Sequence, residues 1–136
     1  MSQRNTWLEV DLGAIASNVS VIRRRIGRGA KIFVALKANA YGFGLLPVAR
    51  AVKAAGVDAL GVGSVDDGVR VRVAGIHGPV LVYGGDLLSQ ATVSLMERHE
   101  LVATIHDVAS LRMQAVGPWL AGCNGRSRRR PRPPGL

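Results

Sequence analysis

Apolar positions along the 136 residues follow two alternating patterns. Short continuous apolar runs, rich in β-branched residues, fall at residues 32–36, 59–63, 79–83 and 101–105. Runs of that length bounded by turn residues read as buried strands. Between them lie stretches with helical spacing. Leu12, Ile15, Val19, Ile22 and Ile26 form the first, with Asp11 as its cap and Gly27 at its end. Residues 46–55 form the second, with Pro47 in the first turn and Gly56 at the close. Further helices are predicted through Leu88, Ala91, Leu95 and Met96 with Asp86 as cap, and through Leu111 and Ala115 with Asp107 as cap. Residues 7–10 read as one more short strand.

One stretch is ambiguous. Val69, Val71 and Val73 alternate with Arg70 and Arg72, a period of two that argues for a strand, and Gly68 weakens a helix. Ser64-Val65-Asp66-Asp67 resembles a capping box, however, and Gly75 closes the segment, so helix is the reading that suits its neighbours. The strand ends then fall near Lys37, Gly63, Tyr83 and Ile105, spaced roughly 20–26 residues apart. That is a repeating βα unit, which implies right-handed crossovers and a parallel sheet of about four strands.

In parallel α/β folds, ligands bind at the carboxyl ends of the strands. Lys37 falls at such an end, directly after the apolar run 32–36, and should sit at the rim of a dry core. There desolvation would favour the neutral amine that a nucleophile needs. The residues after it are Ala38-Asn39-Ala40-Tyr41-Gly42-Phe43-Gly44, a small-residue, Gly-rich loop in which Asn39 suits a turn.

The octapeptide from Lys37 to Gly44 resembles the pyridoxal-phosphate attachment motif of alanine racemases, matching seven positions of eight. Phe43 stands where that family usually has histidine, so any polar role of the histidine is lost. Related pyridoxal-phosphate barrels carry different residues after their lysine. The resemblance extends upstream through Trp7 to Leu12 and downstream to about Ala115. It implies part of a (β/α)8 TIM-type barrel and an isomerase that interconverts L- and D-alanine for cell-wall building. It also implies pyridoxal 5'-phosphate as cofactor, with Lys37 as both its attachment point and one of two catalytic bases, and Tyr41 as a phosphate contact. In the family the opposing base is a tyrosine from a second subunit's C-terminal domain. The family is homodimeric, and nothing in these residues supplies that domain.

Length complicates the expectation, because a complete barrel takes about 250 residues. The reading is therefore a partial barrel over 1–120, inactive or weakly active alone. Residues 121–136 form an Arg/Pro/Gly-rich tail with no apolar period to fold around. Net charge is +9, and Arg126, Arg128, Arg129, Arg130 and Arg132 carry more than half of it. The high isoelectric point thus belongs to the tail. Arg23, Arg24 and Arg25 read as a solvated helix end.

The remaining signals exclude more than they suggest. The single Cys123 fits a reducing compartment, and no apolar run approaches a membrane span, so cytoplasmic is the expected location. His77, His99 and His106 lack metal-ligand spacing. No phosphate-loop or dinucleotide fingerprint is present. Two alternatives stand beside the alanine reading. One is a broad-specificity amino-acid racemase of the same fold. The other is a non-catalytic module binding acidic partners through its tail, with nucleic acid disfavoured as the partner.

Overall fold

The computed structural model describes residues 7–84, 89–109 and 112. Its elements run α1 (Leu12–Ile26), β1 (Phe33–Ala35), α2 (Lys37–Tyr41), α3 (Leu45–Ala54), β2 (Ala59–Val62), α4 (Val65–Val73), β3 (Val80–Val82), α5 (Gln90–Arg98) and β4 (Val102–Ala103). The four strands form one sheet in the order β1-β2-β3-β4, and every pairing is parallel. Each crossover carries a helix, as parallel pairing demands. This is α/β architecture consistent with part of a TIM-type barrel.

Register sorts the side chains into two faces. Val34 pairs with Leu60 and Leu60 with Val80, while Val62 pairs with Val82. Leu60, Val62, Val80 and Val82 are fully buried and join Leu45, Val48, Ala49 and Val52 of α3 and Val71 of α4 in a single core. The opposite face carries Phe33, Gly61 and Tyr83, and both aromatic residues are more than a third exposed.

Most local signals hold. Asp11 accepts from the Ala14 N–H at 2.9 Å, and Ser64 Oγ accepts from the Asp67 N–H at 3.2 Å. The ambiguous stretch 65–73 is indeed helical. Its period-two valines split, with Val71 buried and Val73 76% exposed. A larger residue at Gly68 would have to displace the buried Leu101 side chain, since an added Cβ would come within 2.8 Å of Leu101 Cδ1.

Other expectations need correction. Residues 7–10 form no strand, because no described strand lies beside them to accept their hydrogen bonds, and Trp7 and Leu8 are exposed. The apolar stripe of α1 is only partly buried: Val19 lies in the core, but Ile22 and Ile26 are exposed. Arg23 is no free solvated cation. It donates to Ala30 O at 2.6 Å and Gly56 O at 3.2 Å, and pairs with Asp58 at 2.6 Å. Ser89, not Asp86, caps α5, with its Oγ accepting from the Thr92 N–H at 3.1 Å. Asp86, the body of the helix expected after Asp107, and the tail 121–136 lie outside the described residues.

Candidate functional site

The chain reverses its handedness immediately after Lys37. Ala38, Asn39, Ala40 and Tyr41 have φ of 52°, 54°, 55° and 57°, so α2 is a left-handed turn and not the irregular loop that the small residues suggested. An L-residue in this conformation costs about 1–2 kcal/mol. Four in succession persist only where the surroundings fix them, which is characteristic of functional sites.

The restraints are identifiable. The Ala40 N–H donates to Leu36 O at 2.9 Å, Gly42 to Ala38 O at 3.0 Å, and Gly44 to Asn39 O at 3.0 Å. The Ala40 methyl is buried in the core. Asn39 Oδ1 accepts from the Leu45 N–H at 2.8 Å and so satisfies a free donor at the start of α3. The turn-stabilising role expected of Asn39 is therefore its observed one, and asparagine is among the few residues that tolerate such dihedrals.

Lys37 lies at the carboxyl end of β1, where the Leu36 N–H bonds Gly61 O at 2.6 Å. Its Cβ projects to the same side as Gly63, since a Cβ built on Gly63 would lie 3.5 Å from it. Lys37 thus belongs to the partly open face that also carries Gly61, Phe33 and Tyr83. The expectation of a dry rim is not met, because the Lys37 side chain is exposed among the described residues. Tyr41 is also exposed, at 59%, and Phe43 at 49%. The turn therefore brings Lys37 and Tyr41 to one end of the sheet with both polar groups accessible.

Sequence reasoning missed the residues that shape the floor beside Lys37. Phe33 and Tyr83 meet edge to face, with centroids 6.0 Å apart and planes at 86°. They close over Gly61, where a Cβ would approach Phe33 Cζ to 2.6 Å and Tyr83 Cε2 to 2.7 Å. The signal was a glycine in mid-strand, which marks a close approach by something else. Beyond the rings, Gly63, Ser64, Asp66, Gly84, Thr92 and Leu95 line a cavity of about 260 Å³. His106 Nε2 lies 3.2 Å from Tyr83 O, a backbone contact and not a catalytic arrangement.

Electrostatic shifts lie away from this end. Hydrogen bonds from the Ile32 N–H and the Arg23 guanidinium hold the Asp58 carboxyl below its usual value. Among the described residues, no group of three or more potential ligands could hold a metal, and no helix is long and apolar enough to cross a membrane.

Comparison with known proteins bears on the same residues. The model of the alanine racemase N-terminal domain matches residues 10–117. An alanine racemase of Symbiobacterium thermophilum is 45% identical over 94 residues, covering 69% of this chain and 25% of its own length. Alanine racemase 2 of Bacillus subtilis is 44% identical over 86 residues, covering 63% of this chain and 22% of that protein. Among solved structures, alanine racemase from Bacillus anthracis with bound L-Ala-P superposes with a TM-score of 0.73 at 33% identity, covering 82% of this chain and 28% of that one. The enzyme from Corynebacterium glutamicum gives 0.70 at 28% identity, covering 80% and 31%. The chain spans about a quarter of the length of the curated relatives it matches. With a family match over most of its residues and four parallel strands arranged as in those barrels, the chain belongs to the alanine racemase family, within its N-terminal domain.

Proposed function

We propose that this chain carries the cofactor-lysine portion of an amino-acid racemase acting on alanine, with Lys37 and Tyr41 as its site residues. The observation that carries the reading is Lys37 at a strand's carboxyl end, on the partly open sheet face, fixed by a left-handed turn. The cofactor is pyridoxal 5'-phosphate. When bound, it supplies an electron sink for the negative charge developed at an amino acid's α-carbon. The residues suit such a group in three respects: an exposed primary amine, an exposed phenol four residues on, and an uncovered glycine beside the amine.

Lys37 Nζ is the amine that holds the cofactor's carbonyl carbon. When free, it takes or returns a proton at the substrate's α-carbon. Tyr41, on the same left-handed turn, would offer its hydroxyl to the phosphate. Both faces of the α-carbon must be served for racemisation. The opposing base, the substrate pocket and the homodimer contacts belong to parts of the family's proteins that these 136 residues do not match. Loss of one general base costs about 10²–10⁴-fold in rate. The 136-residue chain alone should accordingly racemise alanine at least that much more slowly than a full-length relative.

The test is binding. Pyridoxal phosphate added to the chain should give a Lys37-dependent absorbance change that Lys37→Ala abolishes. Equal spectra for the two proteins would remove the cofactor assignment.

A further inference from the structure

The amino ends of the strands, opposite Lys37, repeat one arrangement. Helix α3 closes on Gly56 at φ 89°, whose N–H donates to Lys53 O at 3.0 Å while the Val57 N–H donates to Val52 O at 3.1 Å. Helix α5 closes in the same way on Glu100 at φ 49°. Its N–H donates to Glu97 O at 3.1 Å and the Leu101 N–H to Met96 O at 2.9 Å. In each case an arginine of another helix binds the carbonyl of the left-handed residue. Arg23 of α1 donates to Gly56 O at 3.2 Å, and Arg72 of α4 donates to Glu100 O at 2.9 Å. Two helix ends are thus clamped alike, each by a guanidinium on an otherwise unbonded carbonyl.

The clamps differ in what neutralises them. Two residues past Gly56 stands Asp58, whose Oδ2 accepts from Arg23 Nη2 at 2.6 Å. Two residues past Glu100 stands Val102, half-exposed and without an acceptor. The rest of the Arg72 guanidinium is committed to carbonyls, Nε to His99 O at 2.9 Å and Nη1 to Ile76 O at 3.0 Å. A guanidinium has five N–H donors, so two remain, and no carboxylate among the described residues bonds them. Burial lowers the Arg72 pKa, and the nearby charge of Glu100 opposes that only in part. Arg72 and Val102 line an open cleft of about 640 Å³ with His77, Arg98, His99 and Glu100. Two arginines there face one carboxylate, and Arg98 and His77 are exposed. Arginines in a last turn complement the helix dipole. That accounts for their presence, but not for the anion that the first clamp has and the second lacks.

We propose that this cleft binds a small oxyanion, a phosphoryl or carboxylate group, which takes at Arg72 the place that the Asp58 side chain takes at Arg23. Forked guanidinium donors match the paired oxygens of either group. Arg98 supplies a second cation, and the imidazoles of His77 and His99 supply further polar contacts. Glu100 limits the affinity, since its charge repels the same ligand. The cleft lies at the amino ends of β3 and β4, whereas Lys37 follows the carboxyl end of β1, so the proposal stands apart from the cofactor reading.

The experiment titrates the full 136-residue chain with sodium phosphate and, separately, sodium succinate, following the His77 and His99 imidazole signals by NMR. The pH is fixed and ionic strength is held constant with sodium chloride, which removes general screening. Wild type should saturate with at least one of the two, and the anion with the lower half-saturation is the class the cleft prefers. Val102→Asp, which supplies a carboxylate where the first clamp has Asp58, should raise the half-saturation about tenfold or more, the scale of one charged hydrogen bond. Arg98→Gln should raise it about threefold to tenfold. Glu100→Gln, which removes the repulsion, should lower it about twofold or more. Arg24→Gln, which removes an exposed cation from α1, should leave it within about twofold. Arg98 is exposed as well, so its variant keeps the test decisive even if circular dichroism shows Val102→Asp to be unfolded. Shifts that rise linearly with both anions would overturn the site. So would equal weakening by Arg24→Gln and Arg98→Gln, a folded Val102→Asp that binds like wild type, or weaker binding by Glu100→Gln, the signature of a ligand held by that carboxylate.

Discussion

The two faces of the sheet are built from the same four strands to opposite ends. On the helix side, Leu60, Val62, Val80 and Val82 have no solvent exposure and interlock with α3 and α4. On the other side, Phe33 and Tyr83 remain more than a third exposed, glycines interrupt β2 and its end, and Lys37 projects beside them. One face holds the fold together, and the other presents chemical groups. Residues that matter for stability and residues that matter for binding should therefore be almost separate sets.

The sharpest way to break that division is to exchange the expected effects. Leu60→Ala, on the helix side, should destabilise the chain by about 2–5 kcal/mol in urea denaturation. A cost below 1 kcal/mol would mean that the packed face does not carry the fold. Asn39→Ala is the next largest, because it removes both the acceptor for the Leu45 N–H and a residue suited to positive φ. About 1–2 kcal/mol is expected.

The turn itself allows a prediction of sign. Ala38→Gly relieves a residue at φ 52° and should be neutral or stabilising by up to about 1 kcal/mol. Ala16→Gly, the same exchange inside right-handed α1, should cost about 1 kcal/mol. Equal costs at the two sites would contradict the left-handed assignment.

Smaller effects follow at the edges of the comparison. Asp58 ties α1 to β1 through Arg23 and the Ile32 N–H, and its folded pKa is depressed. Its contribution to stability is therefore complete above the unfolded value of 3.8 and disappears as pH falls through the lower folded value. Urea midpoints of wild type and Asp58→Asn should differ at neutral pH and converge below that range. Lys37→Ala should change stability least, by less than about 0.5 kcal/mol, because the side chain is exposed.

Much of this division was readable from the residues alone. The repeating βα unit, the caps at Asp11 and Ser64, and the motif beginning at Lys37 all rest on local spacing, which survives folding unchanged. Three features were not readable, two of them because they depend on non-local partners. The strand expected at 7–10 finds no neighbouring ladder among the described residues, and Trp7 and Leu8 remain exposed. Arg23 looked like one of three equivalent terminal cations until the chain brought Asp58 and the Gly56 carbonyl to it. The left-handed turn is the most instructive miss. Alanine ordinarily favours the right-handed helix, and nothing in the composition of residues 38–41 announces the bonds from the Ala40 N–H to Leu36 O and from the Leu45 N–H to Asn39 Oδ1 that hold the turn.

The central claim is that Lys37 is chemically singled out by its place at the strand end. The chain provides its own controls, since it holds only three lysines: Lys31, Lys37 and Lys53. Lys31 is exposed, and Lys53 donates to Val57 O at 2.8 Å. Borohydride trapping of the intact chain at substoichiometric pyridoxal phosphate, followed by peptide mapping, compares the three directly. The account predicts that Lys37 carries at least ten times the label of either other lysine; equal labelling of Lys31 and Lys37 would contradict it.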